Sequence, residues 1–268
     1  MKNRREFLKE MVAGAVVLGV PKPDKNYGPF KMGVQSYCFR KFSLKETLDH
    51  VQKLGLHYIE IYPGHFDFRK VTAPDKADLK KQLEDRDIEL FSYGVVGFRK
   101  NDQPFERVFE FAKEMELKTI SADPGPDSFG ELDRLVEKYN INIGIHNHWF
   151  SRKYEYEKIN DVLKAIEGHH QRIGATLDTG HYLSFGEDPR EAVRRLHPRI
   201  YSVHLKDNTA PESTVVLGTG RLKLRAVLAE LKKVDYKNIL ALEYENDPEN
   251  PIPAIEKSLE AVRNSLRS

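Results

Sequence analysis

The sequence predicts a single (β/α)8 barrel, and three observations carry that prediction. Eight short strand-like runs recur along the 268 residues, and amphipathic stretches of helical spacing separate them. The repeat is roughly 20–40 residues, enough for one strand, one helix and two loops. Finally, the last four runs each stop on a residue able to ligate a metal. They read Ile141-Asn142-Ile143-Gly144-Ile145-His146, Ile173-Gly174-Ala175-Thr176-Leu177-Asp178, Ile200-Tyr201-Ser202-Val203-His204 and Ile239-Leu240-Ala241-Leu242-Glu243. Short aliphatic runs are what strands buried on both faces look like. Four successive ones ending in His, Asp, His and Glu place four ligands on one rim of a barrel, the rim where such folds carry their chemistry.

The elements follow in order. Residues 32–37 form the first strand. Ser43-Leu44-Lys45-Glu46 fits a capping box, opening a helix that runs to Leu54 and stops at Gly55. Strands are then expected at 58–62, 88–93 and 119–122, ahead of the four ligand-ended runs. Helical patterns lie at 105–115, 132–139, 159–166, 189–196 and 224–234. Eight strands and about as many helices close a barrel. The competitor, a doubly wound open sheet, lacks support because no Gly-rich phosphate turn follows the first strand. No linker or low-complexity segment divides residues 29–268, which read as one catalytic domain.

The first 28 residues read differently. Asn3-Arg4-Arg5-Glu6-Phe7-Leu8-Lys9 matches a twin-arginine export signal apart from the usual Ser or Thr at its first position. An apolar stretch from Met11 to Val20 follows, closed by Pro21-Lys22-Pro23. That stretch is far short of the roughly 20 residues that span a bilayer, so stable membrane insertion is not expected. A periplasmic protein delivered by the twin-arginine route is.

Composition narrows the chemistry. The 43 basic and 41 acidic residues leave a formal charge of +2, which gives no reason to expect a nucleic-acid partner. Cys38 is the only cysteine, so thiolate clusters and internal disulfides are excluded. A metal must use nitrogen and oxygen. Two imidazoles and two carboxylates, from His146, Asp178, His204 and Glu243, suit one divalent transition ion (Mn2+, Zn2+, Fe2+ or Co2+) better than Mg2+ or Ca2+.

Several further residues are candidates for the mouth. His148 shares a face with His146 on a continuing strand and can serve as ligand or acid/base. Lys206, two residues past His204, can stabilise a developing enolate oxygen. His65 in Tyr62-Pro63-Gly64-His65 is placed at the mouth, and Trp149 with Phe150 can offer a platform for sugar C–H faces.

The segments Gly33-Val34-Gln35-Ser36-Tyr37, Leu54-Gly55-Leu56-His57-Tyr58-Ile59-Glu60-Ile61-Tyr62, Leu177-Asp178-Thr179-Gly180-His181, His204-Leu205-Lys206-Asp207 and Leu242-Glu243-Tyr244-Glu245 occur in this order. Across residues 30–265 the chain resembles the sugar phosphate isomerase/epimerase group of xylose-isomerase-like TIM barrels, which also includes endonuclease IV. The resemblance implies a metal held by Glu, Asp, His and Glu from strands five to eight. Asp178, His204 and Glu243 match three of these positions, and His146 replaces the first Glu. It also implies an acid/base pair of glutamates, of which Glu243 is one. It implies a substrate-binding role for His181, three residues after the aspartate, and sets Glu60 beside the substrate. Leu217-Gly218-Thr219-Gly220-Arg221 fits the group's long loop after strand seven, and its missing third glycine argues against a dinucleotide site.

The expected activity is therefore isomerisation or epimerisation at a carbohydrate carbonyl through an enediolate, on an unphosphorylated sugar or glycoside. The same enolate chemistry would serve a 3-keto-glycoside lyase or hydrolase. A non-catalytic sugar-binding barrel is a further alternative. Phosphodiester cleavage in the manner of endonuclease IV is disfavoured, because strand two ends in Glu60 and strand three in Ser92-Tyr93-Gly94, and neither supplies the extra histidines that cluster needs.

Overall fold

The computed structural model describes residues 25–99, 104–149, 156–211 and 213–267. Eight parallel strands close a barrel in the order β1-β10-β7-β6-β5-β4-β3-β2. They are β1 Lys31–Gln35, β2 Tyr58–Ile61, β3 Glu89–Phe98, β4 Thr119–Pro124, β5 Asn142–His146, β6 Ile173–Asp178, β7 Ile200–Leu205 and β10 Ile239–Leu242. A two-stranded antiparallel ribbon, β8 Asp207–Asn208 with β9 Thr214–Val215, lies between β7 and β10 in the chain.

Nine α-helices are described: α1 Leu44–Lys53, α2 Ala73–Glu84, α3 Glu106–Glu114, α4 Phe129–Tyr139, α5 Ile159–Ile166, α6 Thr179–Ser184, α7 Pro189–Leu196, α8 Leu224–Lys233 and α9 Ile252–Arg267. Ser43 caps α1 by the predicted capping box, its hydroxyl accepting from the Glu46 amide while the Glu46 carboxylate accepts from the Ser43 amide. Gly55 ends the turn with φ at +71°, a conformation glycine takes without a side-chain penalty. Thr72 and Asp75 repeat the capping box at α2.

The pattern of residues explains where sequence and structure part. The third strand was expected to stop at residue 93 but runs to Phe98, with a register irregularity between Tyr93 and Val96. Gly94 allows this: a Cβ there would stand 2.3 Å from the Ser121 carbonyl oxygen, so only glycine lets β3 lie this close to β4. The first strand stops at Gln35, and a 3-10 turn over Ser36–Phe39 carries the chain onto the rim. α2 buries only Leu79 and Leu83 and so shows little periodicity, while α6 begins on the strand-end aspartate itself.

The aliphatic core lies between the barrel wall and the helices, where Ile59, Ile61, Ile120, Ile143, Ile145, Leu177, Val203 and Leu240 meet helix residues such as Leu48, Leu132, Val162, Val193 and Leu228, all buried. Each such side chain contributes about 1.5–3 kcal/mol on leaving water. The inside of the barrel is different. Gln35, Glu60, Ser92, Ser121, Thr176, Ser202 and His204 are all buried, forming a polar interior beneath the C-terminal rim. No helix among the described residues is long and apolar enough to cross a membrane. Residues 1–24 of the expected export segment lie outside the described residues, but its end was set too far along the chain: Lys25–Tyr27 form a 3-10 turn, and Tyr27 is buried in the core with its hydroxyl accepting from Arg263 at 2.7 Å.

Candidate functional site

His146 and Asp178 are the last residues of β5 and β6, His204 is the penultimate residue of β7, and Glu243 directly follows β10. Adjacent parallel strands deliver them to one rim, with Asp178 in register opposite His204. One donor atom from each lies within 4.8 Å of every other. His146 Nε2 is 3.6 Å from Asp178 Oδ2, and His204 Nδ1 is 3.1 Å from Glu243 Oε2 and 4.0 Å from Asp178 Oδ2.

These same four atoms, His146 Nε2, Asp178 Oδ2, His204 Nδ1 and Glu243 Oε2, are buried without a properly oriented hydrogen-bond partner. A buried polar atom left so is costly, and native structures leave few of them. Four such atoms facing one another fit a divalent cation held by two nitrogens and two oxygens.

The surrounding residues fix these donors. Glu60 lies fully buried inside the barrel, with Oε1 2.9 Å from His204 Nε2 and accepting from Gln35 Nε2 at 2.7 Å. Its Oε2 accepts from the hydroxyls of Ser92, Ser121 and Ser202 at 2.5, 3.0 and 3.3 Å. Glu60 holds the hydrogen on His204 Nε2 and turns Nδ1 toward the other donors, the usual arrangement of a carboxylate behind a metal-binding histidine; Nδ1 directs the second proton of the charged imidazole at Glu243 Oε2 and would release it to hold an ion. Asn147 bridges β5 to β6: its amide donates to the Asp178 carbonyl oxygen at 3.0 Å and its side-chain oxygen accepts from the Asp178 amide at 2.8 Å. Asp178 Oδ1 caps α6 by accepting from the His181 amide at 2.8 Å, which leaves Oδ2 for the site.

Lys206 and His181 complete the floor. The buried Lys206 ammonium stands 3.0 Å from Asp178 Oδ2, 3.1 Å from Glu243 Oε2 and 2.6 Å from Glu245 Oε1. It also lies 3.0 Å from His181 Nε2, while His181 Nδ1 is 3.0 Å from the Asn147 carbonyl oxygen and donates to it. His181 therefore presents an accepting Nε2 to the lysine.

Burial opposes every charge here, and neighbouring charges decide the outcome. Burial alone would raise the Asp178 carboxyl, but His181, Lys206 and His146 hold it well below its usual range. Glu243 is likewise held low against burial by Lys206 and His204. Glu60 and Glu243 outweigh burial to lift His204 well above its usual value, and Asp178, Glu243 and Glu245 do the same for Lys206. Burial, with Lys206, His146 and His148 adding to it, carries His181 well below the ordinary histidine value despite Asp178. Burial and the nearby His146 lower His148 to about 4.

A family comparison agrees with this geometry: the xylose isomerase-like TIM barrel family matches residues 126–265, more than half of the chain. The chain belongs to that family. Among curated relatives, the inosose dehydratase of Bacillus thuringiensis (strain Al Hakam) is 26% identical over 160 residues, covering 51% of this chain and 52% of the relative. The chain thus matches about half the length of that relative. An uncharacterised protein of Parabacteroides distasonis, solved crystallographically, is 28% identical with a TM-score of 0.68, covering 87% of this chain and 97% of its own. A zinc-bound structure of the IOLI protein has a TM-score of 0.71 at 17% identity, covering 88% of this chain and 98% of its own, and shows the fold alone.

Within this family barrel, the remaining candidates fall into two groups. His148 and His181 lie against the donor set, with ring centroids 5.5 and 5.3 Å from His146 and 4.6 Å from each other. Trp149 is half-buried beside His148, at 6.0 Å between rings, and Phe150 lies outside the described residues. His65 and Arg221 are engaged elsewhere. His65 Nε2 lies 3.1 Å from the carbonyl oxygens of both Phe39 and Phe42, securing the rim turn after β1. Arg221 donates to the Asn208 side-chain oxygen at 2.7 and 3.1 Å. Asp207 holds the 218–222 loop by accepting from the amides of Gly218, Gly220 and Leu222.

Sequence reasoning missed Asn147 as part of the site, and quoted Gln35, Thr179 and Glu245 only within motifs. Asn147 carried a signal, standing between two candidate histidines at the end of a strand. Gln35 carried none beyond its place at the end of β1, because spacing does not tell which side chain meets it across the barrel.

Proposed function

We propose that this chain is a divalent-metal-dependent enzyme that isomerises or epimerises a carbohydrate at a carbonyl, on an unphosphorylated sugar or glycoside. The observation that carries the reading is the convergence of four buried donor atoms from successive strand ends at the C-terminal rim, with Glu60 orienting the imidazole that carries one of them. His146 Nε2, Asp178 Oδ2, His204 Nδ1 and Glu243 Oε2 would hold the ion. When bound, the ion supplies polarisation of adjacent carbonyl and hydroxyl oxygens, which acidifies the C–H between them.

The chain's own groups then move the proton. Glu243 stays ionised against burial because Lys206 and His204 face it, so its carboxylate can accept the proton from that carbon. The Lys206 ammonium, fixed between Glu245 and His181, can donate a hydrogen bond to the oxygen that becomes an enediolate. His148 is neutral at neutral pH. Its Nδ1 lies 3.3 Å from the Trp149 carbonyl oxygen and donates to it, so the imidazole beside the donor set can act as an acid/base. Return of a proton to the same carbon from the opposite face gives the epimer; return to the neighbouring carbon gives the isomer. Glu60 touches His204 and not the rim, so it acts as a positioning residue.

A dehydratase is the second reading, favoured by the inosose dehydratases among the relatives. There the same enolate forms, the C–O bond to a β-hydroxyl breaks, and a protonated side chain delivers the hydrogen that leaves as water. The twin-arginine segment supports delivery of the folded, metal-loaded protein to the periplasm, where phosphorylated sugars are scarce.

Metal analysis of protein purified from its own host, followed by incubation in deuterated water with ketoses, 3-keto-glycosides and inososes, tests the reading. Deuterium incorporation at the carbon next to the carbonyl without loss of water supports isomerisation or epimerisation. Loss of water identifies the dehydratase. Absence of exchange with every compound, at full metal loading, rejects both.

A further inference from the structure

The position of Lys206 points to a role in metal loading that its place near the substrate does not explain. Its ammonium stands 3.0 Å from Asp178 Oδ2 and 3.1 Å from Glu243 Oε2, two of the four converging donors. Transition ions sit about 2.0–2.2 Å from carboxylate oxygens. An ammonium and a dication drawn to the same two oxygens are close neighbours, and their repulsion is twice that of two unit charges at the same separation.

The placement is built into the fold. Thr179 Oγ1 accepts from the Lys206 amide at 2.9 Å and donates to its carbonyl oxygen at 2.6 Å, pinning the backbone. The side-chain stem lies across Gly180, where a Cβ would stand 2.7 Å from Cγ and 2.9 Å from Cδ. A withdrawal route is equally defined: Glu245 Oε1 is 2.6 Å from the ammonium, and Glu245 is 31% exposed where Asp178 is fully buried.

We propose that the Lys206 ammonium is a built-in competitor of the metal ion, which satisfies Asp178 and Glu243 in metal-stripped protein and withdraws to Glu245 when the ion enters. The lysine thus keeps the carboxylate-rich rim folded before loading and weakens metal binding in return. This rests on the metal reading above. It requires two effects of opposite sign from a single substitution: removing the ammonium destabilises the stripped protein and tightens the metal.

The test uses the full chain stripped with chelator, with Mn2+ titrated in competition with a fluorescent chelator and Tm measured before loading. Lys206→Met should lower the Tm of the stripped protein and tighten Kd for Mn2+ at least tenfold. Gly180→Ala, which displaces the stem without removing the charge, should move both quantities in the same directions by less. An unchanged or weaker Kd in Lys206→Met overturns the proposal while wild-type binding leaves the metal site standing. If Lys206→Met does not fold, the Kd of Gly180→Ala decides alone. Wild-type protein that binds no Mn2+ at one equivalent overturns both the proposal and the metal reading.

Discussion

Replacing Glu60 with Gln separates the positioning of a metal ligand from the ligand itself. Glu60 makes five polar contacts, two at Oε1 and three at Oε2. In Glu60→Gln the carbonyl oxygen should take the Oε1 place, because Gln35 Nε2 and His204 Nε2 both donate there. The new amide then faces Ser92, Ser121 and Ser202, whose hydroxyls can turn to accept. The barrel should therefore fold. What is lost is the charge behind His204, where a hydrogen bond worth about 1.5–3 kcal/mol becomes a neutral one worth about 0.5–1.5. Losses of this kind behind a metal-binding histidine weaken affinity about 10–100-fold, or ~1.4–2.7 kcal/mol. Under a fixed excess of metal, the metal-induced rise in Tm should shrink by roughly 3–10 °C, at about 2–4 °C per kcal/mol for a domain approaching this size. Competition titration with Mn2+ or Zn2+ and melting curves of stripped and loaded protein give both numbers. A folded Glu60→Gln protein that binds metal within twofold of wild type would refute the view that the Glu60 charge behind His204 supports metal binding.

Three further outcomes are expected. Glu243→Gln should cost at least tenfold in metal affinity and most of the turnover while leaving the far-ultraviolet circular dichroism spectrum unchanged; full metal and full activity would remove the strand-end residue of β10 from the site. Replacing Arg4 and Arg5 with Lys should leave a tagged protein in the cytoplasm, and unchanged periplasmic delivery would rule out the twin-arginine route. At equal metal loading, a free ketose or 3-keto-glycoside should turn over faster than its phosphate ester, since a phosphate favours several basic groups or helix N-terminal amides and Arg221 is committed to Asn208; a clear preference for the ester would defeat this substrate assignment.

How much of this was legible in the sequence depends on the range of the interaction. The barrel was legible because a strand buried on both faces is a local aliphatic run, and the rim donors were legible because each ends such a run. Boundaries failed where a residue does two jobs. Asp178 is both the end of β6 and the cap of α6, so that helix starts with no polar break before it. Gly94 reads as a strand stop, yet it permits close approach to Ser121 and β3 continues. The resemblance sets Glu60 beside the substrate, but its neighbours come from β1, β3, β4 and β7, and no local pattern shows that they surround it. Asn147 stands between two histidines in the sequence, where nothing local shows that its side chain ties the end of β5 to the backbone of Asp178 on β6.

His146, standing where the epimerase resemblance implies a glutamate, would have an electrostatic consequence that the rest of the proposed site answers. In the proposed site, with His146 as donor, Asp178 and Glu243 would bring the negative charge directly to the ion, enough to neutralise a dication but not to exceed it. An ion so balanced polarises an added carbonyl oxygen more strongly than one facing three carboxylates. The extra carboxylates are held one step back: Glu60 faces the far nitrogen of His204, and Glu245 faces Lys206. There they orient the donors and compensate the lysine without occupying a coordination position. Moving Glu60's charge out of reach of the substrate while keeping it on His204 leaves Glu243 as the carboxylate at the rim that can take a proton. That division of labour explains why Glu243→Gln should cost turnover and metal together, whereas Glu60→Gln should cost metal affinity first and turnover only through it.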